Sequence, residues 1–309
     1  MSLRVLFIGL PDMGTICLRA LTKAGINVAG ILAAPKDNSA YAMFLEETKG
    51  YNLPVLFYDT LKDEQLLTSI KELHPDIAVV CSFSKKIPKE MLDIVPMGFI
   101  NCHPSLLPDY RGGNPYFHII NNGEKFSGVT LHFMDESFDT GDIVAQQKFA
   151  IEKFETMGTL FNKTNFMIAD MLVKVLKDIE SGNPPKRYPQ PKEGNFKKAP
   201  MIDFEHGANR IDWEKTAEEI DRFVRACNPF WGAYCFFRGC FIKIYAASFE
   251  KKKHNFPPGT VVKVKSDYIA IAAKEGLFFP KVLHVGSYFC SDVRDFIKFS
   301  APLAGEQFE

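Results

Sequence analysis

The sequence predicts an α/β fold: a Rossmann-like, mostly parallel sheet with helices on both faces, followed by a small C-terminal β-barrel of the OB type. Three observations lead there. The first half alternates short apolar runs rich in β-branched residues with amphipathic stretches, the pattern of buried parallel strands in βαβ units. The last third instead holds five short strand-like runs separated by turns, which suits a small barrel. A polar, proline-rich stretch lies between, and 309 residues is long for one domain at about 100 to 200 residues each.

Taken in order, Val5 to Ile8 is the first strand, followed by a turn at Gly9-Leu10-Pro11 and a helical pattern from Asp12 to Ala24. Val28 to Leu32 is the next strand, and a helical stretch around Tyr41 to Lys49 leads to the strand Pro54 to Phe57. Lys62 to Leu73 reads as a helix before the apolar run Ile77 to Cys81. Gly98 to Asn101 and Val129 to Met134 are further strands, with a helical segment over Asn114 to Asn121 between them. Ile143 to Ala150 is expected to pair with Val129 to Met134 across the turn at Glu136 to Asp142, and an amphipathic helix from Thr156 to Ser181 covers the sheet. Gly182 to Ala199 holds four prolines and few apolar residues, a linker composition. Thr216 to Cys227 reads as a helix, and the barrel strands are Ala233 to Phe237, Phe241 to Ala247, Gly259 to Val264, Tyr268 to Ala273 and Leu277 to Val285. The expected division is a first domain over 1–182, a linker over 183–204 and an OB-like domain over 205–309.

Lysine and arginine balance aspartate and glutamate at 37 each, so the molecule as a whole has no basic field to concentrate nucleic acid or anionic membrane. A nucleic-acid partner would need a local patch, and Lys197-Lys198 and Lys251-Lys252-Lys253 are the available runs. The seven cysteines are scattered without CxxC spacing, as expected of buried apolar thiols in a reducing compartment, and no metal is assigned. The N-terminus enters an apolar strand without a basic leader, and no apolar run approaches the roughly 20 residues of a membrane span. A soluble, cytoplasmic protein is expected, and the sequence points to no protein partner.

The segment richest in chemistry runs from Phe99-Ile100-Asn101-Cys102-His103 through Ser105-Leu106-Leu107-Pro108 to Asp109-Tyr110-Arg111-Gly112. Its strand ends in Asn-X-His, and in an open α/β sheet the carboxyl ends of strands face the ligand crevice. Residues two apart in a strand project to one side, so Asn101 and His103 can point into one cleft. The near-neutral pKa of an imidazole suits proton exchange, and an asparagine amide can bond a developing oxyanion. A histidine at a strand end also serves as a hydrogen-bonded structural residue, and spacing alone leaves both readings open. The second segment, Gly128-Val129-Thr130 to Asp139-Thr140-Gly141-Asp142, reads in isolation as a hairpin turn. Gly9-Leu10-Pro11-Asp12-Met13-Gly14 breaks the GxGxxG pattern and argues against a dinucleotide site.

Together, the order Asn-X-His-X-Ser-Leu-Leu-Pro, Arg-Gly, Gly-Val-Thr, Asp-Thr-Gly-Asp resembles the folate-dependent formyltransferase family. The resemblance implies Asn101, His103 and Asp139 as the catalytic groups and 10-formyltetrahydrofolate as the formyl donor, with no metal. It also implies folate contacts from Ser105, Leu106, Leu107 and Pro108, a pterin-reading loop that includes Asp135, Glu136, Ser137, Phe138, Gly141 and Asp142, and a pterin pocket at Ile87 and Leu92. Ile211-Asp212-Trp213, Arg225 to Pro229, Gly232-Ala233-Tyr234 and Gly259-Thr260-Val261 are similar to the C-terminal domain of the family members that formylate methionyl-tRNA. Where those enzymes usually carry a basic glycine-rich loop, this chain reads Ala34-Pro35-Lys36-Asp37-Asn38-Ser39-Ala40-Tyr41, with one basic residue. Leu131-His132, Ile143 to Gln146 and Tyr110 resemble instead the members that act on nucleotide-linked amino sugars. The implied acceptor is therefore methionyl-tRNA, with an amino-sugar nucleotide as the alternative.

Overall fold

The computed structural model describes residues 2–9, 11–33, 42–83, 85–290 and 292–309. Its internal contacts divide the chain into one unit of Met1–Pro115, Phe126–Ala150 and Phe161–Pro200 and a second of Tyr116–Lys125, Ile151–Leu160 and Met201–Glu309.

The first unit is built on β1 (Arg4–Gly9), α1 (Met13–Lys23), β2 (Asn27–Ala33), α2 (Ala42–Lys49), β3 (Val55–Phe57), α3 (Glu64–Glu72), β4 (Ile77–Cys81), α4 (Lys89–Leu92) and β5 (Phe99–His103). After α5 (Pro115–Asn121) come β6 (Phe126–Phe133), β7 (Ile143–Ala150) and the long α6 (Met157–Glu180). The sheet order is β3-β2-β1-β4-β5-β6-β7. The strands β1 to β5 run parallel, while β6 is antiparallel to β5 and β7 to β6. This is the mostly parallel, Rossmann-like sheet that the sequence predicts.

Strand alternation explains why the central runs are apolar throughout. Val5, Phe7, Ile77, Val79, Ile100 and Cys102 join one core with Cys17 and Leu18 of α1 and Ile168 and Leu172 of α6. Leu6, Ile8, Ala78, Val80 and Phe99 face the other way, onto Leu66 and Ile70 of α3 and Met91 of α4. A strand covered on both sides has no position for a solvated residue, so Ile77–Cys81 is buried at all its positions. Burying both faces also fixes the register, because a one-residue slip would exchange the two cores.

The second unit carries α7 (Ala217–Cys227), β8 (Ala233–Phe237), β9 (Cys240–Glu250), β10 (Val261–Val264), β11 (Ile269–Ala272), β12 (Leu277–Val285), β13 (Tyr288–Cys290) and α8 (Val293–Ser300). Thr216 and Glu219 form a capping box that starts α7. The sheet is antiparallel in the order β10-β11-β12-β9-β8, with β13 on β12. The chain end closes it: Phe236 and Glu309 exchange two main-chain bonds of 2.8 Å, and Val261 N–H donates to Glu306 O at 2.7 Å. The C-terminal residues thus reach both edge strands, β8 and β10, which gives the small barrel. Phe237 stacks on Phe308 at 4.6 Å inside it, and Trp213 meets Phe278 edge-on.

Three elements escape the sequence reading. Helix α4 is a single turn of four residues, Lys89–Leu92. Tyr288–Cys290 is only three residues long. Helix α8 is eight residues, started by the Asp292 side chain accepting from Arg294 N at 2.8 Å and held by Val293 and Phe296, too few apolar positions to show a period. The proline-rich stretch behaves differently from its composition. Ile143 and Tyr188 exchange two main-chain bonds of 2.9 Å, and Ala199 N–H donates to Arg111 O at 2.8 Å, so this stretch is tied to the first unit. No described helix is long and apolar enough to cross a membrane.

Candidate active site

Strand β5 ends at His103, at the carboxyl edge of the parallel sheet. Asn101 and His103 project to one side of it, while Cys102 between them turns into the core. Asp139 arrives from the turn joining β6 to β7. Its Oδ1 lies 3.5 Å from His103 Nδ1 and 3.3 Å from Asn101 Nδ2, and its Oδ2 accepts from Gly112 N–H at 3.0 Å. The structure therefore brings Asn101, His103 and Asp139 together around one carboxylate.

Hydrogen-bond partners fix the imidazole tautomers. His103 Nε2 lies 2.9 Å from Tyr110 O, which only accepts, so Nε2 carries the proton and the Nδ1 lone pair faces Asp139. Burial of His103, only 4% exposed, pushes its pKa below the ordinary 6.5, against the opposing pull of Asp139. The ring is consequently neutral at neutral pH and able to take a proton at Nδ1. For Asp139, burial by itself would raise the carboxyl; His103, once protonated at Nδ1, and the Gly112 N–H outweigh it and hold the group at about 2.

His132 is the member of this cluster that the sequence left out of the catalytic set. Its Nδ1 donates to Phe133 O at 2.8 Å, so Nε2 is free to accept from Asn101 Nδ2 at 3.1 Å. It stands beside Asn101 because the antiparallel register pairs the two residues across β5 and β6. No local signal announces a pairing between positions 31 apart.

The expected folate residues fall into three groups. Ser105 is fully buried and donates to Asp109 O at 2.7 Å, and its carbonyl accepts from Thr130 Oγ1 at 2.7 Å. Leu107 N–H donates to the same hydroxyl at 3.3 Å, and Gln146 Nε2 holds Leu107 O at 2.9 Å. Leu106 packs so close to Gly128 that a Cβ there would come within 2.3 Å of its Cδ2. In the turn, Asp135 Oδ1 accepts from Ser137 N–H at 2.8 Å and from Thr140 Oγ1 at 2.7 Å, Asp142 O accepts from Phe133 N–H at 2.8 Å, and Glu136 and Phe138 are exposed. Gly141 has no room for a side chain, since a Cβ would lie 2.0 Å from Phe133 O. Ile87 and Leu92 belong to the apolar core with Val80 and Met91.

A cleft of about 510 Å³ opens beside Gly112, with Pro108 and the aromatic rings of Phe138 and Phe196 in its wall. Its charged residues are Arg111, Lys192, Lys197 and Lys198 against the single acid Glu193. The loop Ala34 to Tyr41, and Leu10 of the Gly9 turn, lie outside the described residues. All seven cysteines are free thiols, with Cys81 and Cys102 Sγ 3.6 Å apart in the core, where burial pushes the Cys81 thiol up. Among the described residues no group of three or more histidine, cysteine, aspartate or glutamate side chains is placed to hold a metal ion.

Comparison with known proteins gives two family models along the chain: formyl transferase over residues 4–176, and formyl transferase, C-terminal domain, over residues 205–298. A methionyl-tRNA formyltransferase of Acetivibrio thermocellus is 33% identical over 302 residues, covering 96% of both chains. One of Clostridium beijerinckii is 36% identical over 286 residues, 90% of this chain and 91% of that one. Among solved structures, WlaRD, a sugar 3N-formyl transferase in the presence of dTDP and 5-N-formyl-THF, matches with a TM-score of 0.67 at 19% identity, over 93% of this chain and 99% of that one. HypX from Aquifex aeolicus in complex with tetrahydrofolic acid matches with a TM-score of 0.61 at 21% identity, over 97% of this chain and 48% of that one. At those identities the solved structures speak to the fold.

Proposed function

The chain belongs to the formyl transferase family and is a folate-dependent formyltransferase, and we propose that it carries the formyl group of 10-formyltetrahydrofolate to the amino group of methionyl-tRNA. The observation that carries the catalytic assignment is one carboxylate, Asp139, held against both Asn101 and His103 at the end of β5. The acceptor amine attacks the formyl carbon, forming a C–N bond while the carbonyl oxygen takes the negative charge. Of the two bonds made by Asn101 Nδ2, the 3.3 Å one to Asp139 is the longer, and that N–H turns to the oxyanion. Such a donor lowers the barrier by about 3 to 4 kcal/mol. The ammonium gives its proton to His103 Nδ1, where ionised Asp139 stabilises the imidazolium. Collapse breaks the bond from carbon to folate N10, which takes that proton.

Ser105 to Pro108 and the turn Asp135 to Asp142 are assigned to the folate, with Ile87 and Leu92 behind the pterin. In this reading residues 1–182 hold the chemistry and 205–309 the OB-like substrate-binding domain. The acceptor reading rests on relatives that share a third of their residues across nearly the whole chain. The basic cleft of Arg111, Lys192, Lys197 and Lys198 suits a phosphate-bearing acceptor. A nucleotide-linked amino sugar also carries phosphate, and His132 at the site keeps this second reading open.

Single-turnover formylation with labelled donor, charged initiator tRNA and separately a panel of amino-sugar nucleotides identifies the acceptor. The His103→Ala and Asp139→Asn variants are expected to lose about a hundredfold or more in rate, as follows when a general acid or base is removed. Rates within about threefold of the parent would overturn the assignment.

A further inference from the structure

The proline-rich stretch returns to the active site at Gln190, a residue that is 7% exposed and has all three of its amide partners within the first unit. Its Nε2 donates to Asp139 O at 3.0 Å and to Gly141 O at 2.7 Å, and its Oε1 accepts from Arg111 Nη2 at 2.7 Å. A carboxamide is the side chain that offers two N–H donors and an acceptor in one plane. Lysine lacks the acceptor and glutamate lacks the donors. The reversed amide would set an oxygen against two carbonyls, so its orientation is fixed.

What Gln190 holds is a backbone that would not hold itself. Asp139 has φ of 57°, a left-handed conformation that costs a non-glycine residue about 1 to 2 kcal/mol and persists where the surroundings over-determine it. The same stretch reaches the partner of the other catalytic group. Tyr110, whose carbonyl receives the His103 Nε2 proton, has φ of 63° and donates its N–H to Lys197 O at 2.6 Å. Lys197 N–H in turn donates to Asp109 Oδ1 at 3.0 Å. At Gly112, which donates to Asp139, the stretch passes so close that a Cβ would lie 2.4 Å from Ala199 O.

Resting on the assignment of Asn101, His103 and Asp139 to catalysis, we infer that the stretch from Tyr188 to Ala199 is a strap that sets the geometry of the reacting groups, with Gln190 as a positioning residue acting through Asp139. Gln190 meets Asp139 at its main-chain carbonyl and not at the carboxylate. It fixes where the Asp139 carboxylate stands relative to His103 Nδ1.

The experiment is a double-mutant cycle of Gln190→Met with Asp139→Asn, read as kcat and as KM for the formyl-folate donor in the full-length protein. Gln190→Met keeps the length of the side chain and removes its three hydrogen bonds. It is expected to lower kcat by about ten- to a hundredfold, the cost of a catalytic group misplaced by about 1 Å. In the Asp139→Asn background the same change should cost less than about twofold, because its effect runs through a carboxylate no longer there. Equal, additive losses in both backgrounds, or a kcat unchanged by Gln190→Met, would overturn the inference. Gln190→Glu keeps an acceptor for Arg111 and loses only the two donors; should Gln190→Met not fold, the same cycle is run with it. If Asp139→Asn itself leaves kcat unchanged, the catalytic assignment fails, an outcome distinct from failure of the strap alone.

Discussion

Asp139 stands between two imidazoles, and its protonation links the site to stability. Its folded pKa of about 2 lies below the ordinary 3.8, so the ionised form is favoured by folding. That contribution is fully present above about pH 4 and is lost as pH falls through about 2. At about 1.4 kcal/mol per pK unit, it amounts to about 2 kcal/mol. Urea unfolding of the parent and of Asp139→Asn should show a stability difference that shrinks by about that amount between about pH 5 and pH 2. A difference independent of pH would mean that the carboxyl is not held low. His103 shifts the same way: burial favours its deprotonated, neutral form, so the acid limb of kcat/KM is expected below the ordinary histidine value of 6.5. His132 supplies a separate expectation, since its Nε2 accepts from Asn101. His132→Phe should lower kcat by about tenfold, the worth of one buried hydrogen bond. His132→Gln, which restores an acceptor, should recover activity to within about threefold. The sequence places Asn101, His103 and Asp139 in their motifs, but it offers no means of choosing the nitrogen by which each imidazole acts.

The helices and strands are legible because their signals are local. The run Ile77–Cys81 of β4 has no polar position, and the 3.6-residue spacing of α6 is long enough to stand out. The three-residue β13 and the eight-residue α8 carry too few periods for such a signal. Within α6, Asn165 is fully buried and neither side-chain polar atom has a partner among the described residues. An unpaired buried amide costs about 1 to 3 kcal/mol, and leucine has a similar shape without that cost. Asn165→Leu is accordingly expected to raise the urea midpoint with the slope unchanged. A lowered midpoint would show that the amide is satisfied by water. The stretch between α6 and the second unit reads as a linker because four prolines and few apolar residues bury little surface. Its attachment is polar, through Tyr188, Gln190, Lys197 and Ala199, and hydrogen bonds leave no trace in hydropathy.

For the molecule as a whole, charge balance at 37 against 37 leaves recognition of an anionic acceptor to a local patch. The four basic residues at the cleft beside Gly112 set the expected salt dependence. If all four meet phosphates, the slope of log K against log salt is about −3, and each phosphate contact removed reduces it by about 0.7 to 0.9. Measuring KM for charged tRNA from about 0.05 to 0.3 M salt, with Lys197→Ala and Lys198→Ala alongside the parent, checks this. A slope near zero would exclude the cleft as the phosphate site. From sequence alone, the fold class, the succession of core strands along the chain and the motifs bearing Asn101, His103 and Asp139 were already determined, since periodicity and motif spacing are properties of neighbouring residues. Tertiary structure alone decided that β6 sets His132 beside Asn101, that the polar stretch returns to grip Asp139 through Gln190, and that the chain end closes the barrel. Those pairings join residues far apart in the chain, and they are chosen by burial of both sheet faces and by the need of every buried polar group for a partner.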